Sequence, residues 1–186
     1  MRIIAGALRG RPLKTTSGPG YRPAMGKVRQ ALFSMLEARG VRWEECRVLD
    51  LFAGSGSLGF EALSRGAAYV LFVEAARKAA HLIEENARTF NLDPARYAVR
   101  AEEARQVLGK RCDTPFQIVF IDPPYGKHLL GPSLQAVMRN KWLAEEGIIN
   151  AELEGRLPFS PKEAYPDLVC IGDRAYGQTR VVLWTR

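Results

Sequence analysis

From residue 46 onward, short apolar segments alternate with segments of helical periodicity, and this alternation limits the possible folds more than any other feature. The predicted strands are residues 46–52, 69–74, 97–102, 117–122 and 148–154. The predicted helices between them are residues 57–65, 75–90 and 128–140. Such alternation is typical of an α/β fold, in which a parallel sheet has helices on both faces. Two β-rich runs around a glycine-containing turn at 168–186 predict a terminal hairpin with an antiparallel strand.

The length and composition of the chain fit one domain with a substantial core. It has 186 residues, of which 47% are hydrophobic. Its three cysteines lie far apart without a CxxC pair, and it has two histidines, so we expect neither a metal site nor a disulfide framework. The sequence shows no signal-peptide pattern and no run of about 18 apolar residues. We therefore expect a cytoplasmic protein that does not enter a membrane.

The net charge of +7 arises at the beginning of the chain. The first 36 residues contain seven basic residues and no acid, whereas the other 20 basic residues balance 20 acids. The seven are Arg2, Arg9, Arg11, Lys14, Arg22, Lys27 and Arg29. Most are arginines, which suit bidentate contacts with phosphate. This distribution predicts a nucleic-acid-binding surface, and the alternative is a solvated, poorly ordered tail.

Two patterns favour a folded basic segment over a disordered tail. Ile3, Ile4 and Leu8 alternate with small residues as in a short strand, and residues 25–40 have the periodicity of an amphipathic helix that ends at Gly40. We divide the chain into a basic N-terminal arm, residues 1–22, and a main domain, residues 23–186.

The segment DLFAGSGSLGFE, residues 50–61, connects the first predicted strand to a helix. At such a position backbone amides and the helix dipole favour a bound ligand. Gly54, Gly56 and Gly59 match G-x-G-x-x-G, which is a weak signal alone. Glu74 ends the second strand, where an acid in such folds hydrogen-bonds ribose hydroxyls, so a nucleoside ligand is predicted.

Asp50 distinguishes between two nucleoside cofactors. A nicotinamide dinucleotide would place its anionic pyrophosphate against this loop, where Asp50 would repel it. S-adenosylmethionine instead carries an ammonium and a sulfonium, which a carboxylate attracts. We therefore predict S-adenosylmethionine, and the alternative is that Asp50 is an ordinary helix-capping or turn residue.

The segment FIDPPYGK, residues 120–127, follows the fourth predicted strand and so lies beside the glycine loop at the carboxyl edge of the sheet. Its prolines fix the backbone and leave carbonyl oxygens free to accept hydrogen bonds. If Asp122 and the Pro123 carbonyl each accept an N–H of a base amine, they turn its lone pair toward an electrophilic methyl group. Tyr125 would stack on the base. The alternative is a rigid turn with an acidic cap and a packed tyrosine.

Four segments of the chain together resemble the RsmD-type rRNA guanine-N(2)-methyltransferases. They are MRIIAGALRGRPL, RPAMGKVRQALFSML, DLFAGSGSLGFEALSRGA and FIDPPYGK. The resemblance implies a Rossmann-like class I methyltransferase fold, with a mostly parallel seven-stranded sheet and an N-terminal β-hairpin. It also implies that the substrate is one guanine of small-subunit (16S) rRNA, methylated on assembling or assembled small ribosomal subunits. We expect a monomer.

The predicted site residues follow from these motifs and this resemblance. The predicted catalytic residues are Asp122, Pro123, Pro124 and Tyr125. The predicted cofactor-binding residues are Asp50, Phe52, Gly54, Ser55, Gly56, Glu74, Ala75 and Glu102. The seven basic residues named above are the predicted RNA-binding residues. The chain departs from the family pattern at Ala24-Met25-Gly26, where relatives usually have Thr-x-Asp, and at Glu102, where Asp or Asn is common.

Three other functions stay open on the sequence alone. A DNA adenine amino-methyltransferase would use the same Asp-Pro-Pro-Tyr arrangement, although such enzymes generally need an additional target-reading region. A nicotinamide oxidoreductase would leave Asp50 and the two prolines without a role. An RNA-binding or assembly factor without catalysis would not need the acids of the predicted active site, Asp50, Glu74 and Asp122.

Overall fold

The computed structural model describes residues 1–15, 24–124, 128–154, 165 and 167–186. Within these residues the helices are α1 (Ala24–Glu37), α2 (Ser57–Arg65), α3 (Arg77–Thr89), α4 (Ala104–Leu108) and α5 (Leu130–Arg139). The strands are β1 (Arg47–Leu51), β2 (Tyr69–Val73), β3 (Tyr97–Arg100), β4 (Phe116–Ile121), β5 (Leu143–Glu154), β6 (Val169–Tyr176) and β7 (Thr179–Thr185). Single 3-10 turns lie at Trp43–Glu45 and Pro94–Arg96. In the parts of the chain described, no helix is long and apolar enough to cross a membrane.

The strands form one sheet in the order β3-β2-β1-β4-β5-β7-β6. Strands β1 to β5 are parallel to one another, whereas β7 is antiparallel to both β5 and β6. The sheet is therefore mixed, which corrects the expectation of a mostly parallel sheet. The terminal hairpin of β6 and β7 is confirmed. It also makes the sheet mixed, because a hairpin reverses the chain direction between its two strands.

Alternate strand residues point to opposite faces of the sheet, and each face has its own core. Val48, Ile118 and Ile148 pack with α1, α2, α3 and the N-terminal arm, whereas their neighbours Leu49 and Ile149 pack with α4 and α5. Large aromatic side chains also pack on the first face, such as Phe33 of α1 against Phe120 of β4, with ring centroids 5.8 Å apart. By the same alternation, Asp50 and the even-numbered residues of β5 belong to the face that α1 covers.

Residues 1–15 of the N-terminal arm dock on α2 and α3 without forming strands. A single antiparallel bridge, Arg2 to Pro12, stands where a β-hairpin was expected. The N–H groups of Ile3, Gly10 and Leu13 bond carbonyl oxygens in the other half of the arm. The N–H groups of Ile4, Ala5 and Leu8 instead bond side chains of α2, so the pairing does not extend into two regular strands. Gly6 has φ +78°, and a Cβ built on it would lie 1.9 Å from the carbonyl oxygen of Ser64, so the arm turns tightly against α2.

Candidate active site

The carboxyl ends of four parallel strands meet at one edge of the sheet. In register, Leu51 of β1 pairs with Val73 of β2 and with Ile121 of β4, and Ile121 pairs with Ala151 of β5. The residues that follow these four therefore lie in a row along the edge. They are Phe52, Glu74, Asp122 and Glu152.

The glycine loop between β1 and α2 is held by Glu74. One carboxylate oxygen of Glu74 accepts the N–H of Gly54 at 2.8 Å, and the other accepts the N–H of Ala76 at 2.8 Å. Gly54 and Gly56 have positive φ angles of 55° and 74°, which glycine adopts without strain. Phe52 also has a positive φ of 59°, a conformation that costs a bulky residue about 1–3 kcal/mol. The loop is thus fixed in an open turn whose backbone faces the edge of the sheet.

Asp50 is buried beneath this loop, with 2% of its surface exposed. Its Oδ2 accepts the N–H of Gly59 in the first turn of α2 at 2.9 Å. Gly59 has no room for a side chain, because a Cβ there would lie 2.2 Å from Cε1 of Phe72. Burial raises the pKa of Asp50 to about 8, the Gly59 hydrogen bond opposes this shift, and the charges of Asp122 and Glu74 add to it. Asp50 therefore caps α2, and no cation among the described residues stabilises its charge when it ionises.

Asp122 stands at the end of β4, directly beside β1. Burial raises the pKa of Asp122 to about 6. The carboxyl group is therefore ionised at neutral pH, and its pKa is near enough to neutrality for it to accept a proton from a substrate. Pro123 is buried and Pro124 is exposed. Tyr125 lies outside the described residues, so its predicted stacking role stays a prediction.

Sequence reasoning missed two polar residues of β5 that extend this site. Glu152 is half-buried, and its pKa is raised to about 8 by burial and by the charges of Asp122 and Asp50, against the opposing effect of Arg29. Asn150 is fully buried, and within the described residues neither atom of its amide has a hydrogen-bond partner. The signal was present in the sequence: a predicted buried strand with polar residues at alternate positions has one face turned to a polar site.

The remaining predicted cofactor residues are spread around this edge. Phe52 and Ser55 are half-buried in the glycine loop, and Ala75 is exposed after β2. Glu102 follows β3 and lines a cavity of about 260 Å³ together with Leu71 and Val107, which belong to the core on the α4 side. The structure thus places Glu102 on the opposite face of the sheet from Asp50.

The predicted RNA-binding residues fall into two groups. Arg2, Arg9, Lys14 and Lys27 are exposed. Within this exposed group, Arg2 donates to the Gly10 carbonyl oxygen at 2.6 Å, and Nζ of Lys14 lies 3.8 Å from Oε2 of Glu85. Arg11 and Arg29 are less exposed and contact the rest of the protein more extensively. Arg11 donates to the carbonyl oxygens of Thr89 and Phe90, and its guanidinium lies 4.9 Å from the centroid of the Phe90 ring. Arg29 is 5% exposed and donates to the Arg2 carbonyl at 2.6 Å. Arg22 lies outside the described residues.

Replacing Asp50 with Asn should stabilise the folded protein increasingly as the pH rises. The pKa of Asp50 is about 8 in the folded protein, above the ordinary value of about 4, so the folded chain binds more protons than the unfolded chain between these values. The contribution of Asp50 to stability therefore falls as the pH rises through this window. The asparagine amide cannot ionise and can still accept the Gly59 N–H. Thermal unfolding of both proteins at several pH values should show a difference in melting temperature, in favour of the Asn variant, that widens toward pH 8. A difference in melting temperature that stays constant with pH would contradict a buried Asp50 that ionises in this range.

Comparison with known proteins places the chain in a family. A family model described as "Conserved hypothetical protein 95" matches residues 1–185. Ribosomal RNA small subunit methyltransferase D of Escherichia coli is 39% identical over 163 residues, covering 87% of this chain and 79% of that protein. The solved structure of Escherichia coli yhhF has a TM-score of 0.85 and 34% identity, covering 100% of this chain and 97% of that one.

A more distant solved structure has the same fold. It is the Thermus thermophilus 16S rRNA N2 G1207 methyltransferase RsmC in complex with AdoMet and guanosine, with a TM-score of 0.73 and 20% identity, covering 100% of this chain and 49% of that one. At this identity the likeness concerns the fold alone. The family match and the identity to the methyltransferase D relative go further: the chain belongs to the RsmD family of rRNA methyltransferases.

Proposed function

We propose that the chain transfers a methyl group from S-adenosylmethionine to the exocyclic 2-amino group of one guanine in small-subunit rRNA. The observation that carries this proposal is the position of Asp122 and Pro123 at the end of β4, beside Asp50 and the glycine loop at the end of β1. An amine acceptor and a methyl donor would then occupy neighbouring strand ends. The enzyme would act as a monomer in the cytoplasm, on assembling or assembled small subunits.

The residues present fit a cationic nucleoside cofactor. Asp50 is a buried carboxylate whose ionisation is opposed by burial and by two nearby acids, so a bound cation would stabilise its charge. Asp50 would face the positive charge of S-adenosylmethionine, and Glu74 with the glycine loop would bind its nucleoside portion. When bound, S-adenosylmethionine supplies an electrophilic methyl group.

The residues of β4 would then prepare the acceptor amine. The nitrogen of an exocyclic amine is a poor nucleophile, because its lone pair is delocalised into the ring. Asp122 accepts one N–H and the Pro123 carbonyl accepts the other, which directs the lone pair away from the ring. The nitrogen would form a bond to the methyl carbon as the bond from that carbon to the sulfonium sulfur breaks, with S-adenosylhomocysteine as the leaving group, and the methylated nitrogen would then lose one proton. Asp122, with a pKa of about 6, accepts that proton without a separate strong base.

The exposed basic residues of the arm and of α1 would bind the RNA backbone. A groove of about 610 Å³ lies between the arm and the start of α1, and Arg2 and Lys27 line it. No acid lines this groove among the described residues. Since α1 also covers the face of the sheet that contains Asp50, the groove and the strand-end acids belong to the same side of the molecule.

The proposal is tested by transfer of radiolabelled methyl groups to three acceptors in parallel. These acceptors are small ribosomal subunits that lack the modification, the corresponding naked rRNA, and unmethylated DNA. Nucleoside analysis should recover the label as N(2)-methylguanosine from one or both ribosomal acceptors, and mapping then identifies the position. Label in DNA adenine would instead establish the alternative DNA methyltransferase. Binding of the cofactor without label in any acceptor would refute the proposed acceptor.

Neutralising exposed and internal basic residues should affect RNA binding and stability differently. Arg9→Gln and Lys27→Gln should each lower the slope of log Kd against log salt concentration by about 0.7–0.9 if each residue contacts one phosphate. Both variants should unfold like the wild type. Arg11→Gln should instead lower the melting temperature, because it removes bonds between the arm and α3. Salt titrations of RNA binding, with thermal unfolding of each variant, measure both effects. An unchanged slope in the Arg9 and Lys27 variants would contradict the proposed surface.

A further inference from the structure

Glu152 lies beside the proposed amine-orienting residue and on the same side of the sheet. Ile121 pairs with Ala151, so the next residue of each parallel strand, Asp122 and Glu152, are neighbours at the usual spacing of about 4.8 Å. Glu152 shares its face of β5 with Ile148 and Asn150, the face covered by α1. Two carboxylates therefore stand side by side where the acceptor base would bind.

The surroundings of Glu152 do not explain its presence as a structural residue. The charged groups that face it are Asp122 from β4, Asp50 from β1 and Arg29 from α1, and its partner on β7 is the apolar Val181. In the described stretches of the chain, burial and these three charges act on its carboxylate, with no hydrogen bond among the influences on its pKa. Asn150, two residues earlier on the same face, is buried with both amide atoms unpaired among the described residues, which is also costly in a folded interior. This strip of β5 has unused hydrogen-bonding capacity next to Asp122.

Guanine and adenine present different groups to such a pair of acids. Guanine carries two adjacent donors on its pairing edge, the N1–H and the 2-amino group. Adenine carries its 6-amino group beside N1, which is an acceptor. A site with two neighbouring acceptors thus matches guanine and places acceptor against acceptor with adenine. Sites built to hydrogen-bond a substrate group discriminate strongly against analogues that lack it.

We infer that Glu152 selects guanine as the acceptor base, its ionised carboxylate accepting the N1–H while Asp122 accepts an N–H of the 2-amino group. This inference rests on the proposed function, and it assigns base selection to β5 and amine orientation to β4. Protonation would turn Glu152 into a donor and reverse its preference. Since burial and the two aspartates raise the pKa of Glu152 to about 8, binding of a cationic cofactor would favour the ionised, guanine-selecting form.

The test compares two bases at the position that the mapping experiment identifies. 2-Aminopurine keeps the 2-amino group of guanine but has a lone pair at N1 in place of the N1–H. The acceptor that took label is prepared with either base, and kcat/KM is measured together with RNA affinity in the presence of S-adenosylhomocysteine. The wild type should prefer guanine by about 10- to 100-fold in both quantities. The Glu152→Gln amide can accept from guanine through its oxygen or donate to 2-aminopurine through its nitrogen. Its preference should therefore fall to about one- to threefold.

The matched control is Glu146→Gln. Glu146 is exposed, lies on the same strand and has the same parity as Glu152, but it is at the opposite end of β5. It should keep the wild-type preference. If Glu152→Gln kept the wild-type preference for guanine over 2-aminopurine, the inference would be overturned. Failure of the proposed function would appear earlier, because the wild-type protein would then form no N(2)-methylguanosine.

A measurement on the wild type alone keeps the inference testable if the Gln variant does not fold. In RNA-binding measurements without cofactor, lowering the pH from about 8.5 to about 6 protonates Glu152, so the preference for guanine over 2-aminopurine should decrease. A preference that does not change with pH would overturn the inference.

Discussion

Replacing Asp122 with Ala should lower methyl transfer by about 10³-fold or more and leave cofactor affinity within a few-fold of the wild type. The carboxylate of Asp122 is proposed both to orient the acceptor amine and to take its proton, and no other side chain of the described β4 segment can replace it. The loss of a half-buried charge next to Asp50 and Glu152 should not destabilise the fold, since these acids repel one another. Single-turnover transfer and calorimetric titration of the cofactor measure the two effects.

Asp113→Ala is the matched control for this prediction. Asp113 is an exposed aspartate that precedes the same strand, β4, at its opposite end. It should retain wild-type transfer and wild-type cofactor binding. If the Asp122 variant transferred methyl groups at a rate near that of the control, Asp122 would not orient the amine.

Replacing Glu61 with Gln should lower the free energy of unfolding by about 3–5 kcal/mol, because it removes a buried negative charge that pairs with two arginines and accepts two backbone N–H groups. Glu61 is fully buried in α2, where its carboxylate lies 3.0 Å from Nη2 of Arg65 and 3.7 Å from Nε of Arg29. The same two oxygens accept the backbone N–H groups of Ile4 and Ala5 at 2.8 and 3.0 Å. One carboxylate therefore joins α1, α2 and the N-terminal arm.

Urea denaturation of the Glu61 variant, beside Glu84→Gln as a control, measures this effect. Glu84 is an exposed residue of α3, and its replacement should change stability by less than about 0.5 kcal/mol. Increased susceptibility of residues 1–15 to proteolysis should accompany the loss of stability in the Glu61 variant. A loss below about 1 kcal/mol would mean that the ion pairs contribute little beyond the desolvation they cost.

Most elements of the fold could be predicted from local patterns. The apolar runs of β1, β2 and β4 and the periodicity of α2 and α3 are properties of consecutive residues, and so is the turn at Gly177 that joins β6 to β7. Features that depend on pairing between distant segments were not predictable. The start of β5 at Leu143 instead of Ile148 was missed because Glu145, Glu146 and Gly147 have low strand propensity.

The candidate site follows the same division between local and distant information. Motifs indicated Asp50, Glu74 and Asp122, because each lies in the last residues of a recognisable strand or directly after it. The alternating polar residues of β5 indicated a polar face, but the position of Glu152 beside Asp122 depends on the register of β5 against β4, which no short motif reveals. In the same way, charge alone could not separate the exposed Arg9 from Arg29, whose surroundings are set by the packing of α1 on α2.

The arm is attached to the main domain chiefly through its main chain. The backbone N–H groups of Ile4 and Ala5 bond Glu61, that of Leu8 bonds Ser64, and the backbone of Lys14 exchanges two bonds with the Asn86 amide. Because these bonds do not depend on which side chain the arm residue carries, exposed positions such as Arg9 and Lys14 can be exchanged while the attachment is kept. A protein engineer could therefore alter the charge pattern of the arm to change the proposed RNA contacts, leaving α2, α3 and the strand-end acids unchanged.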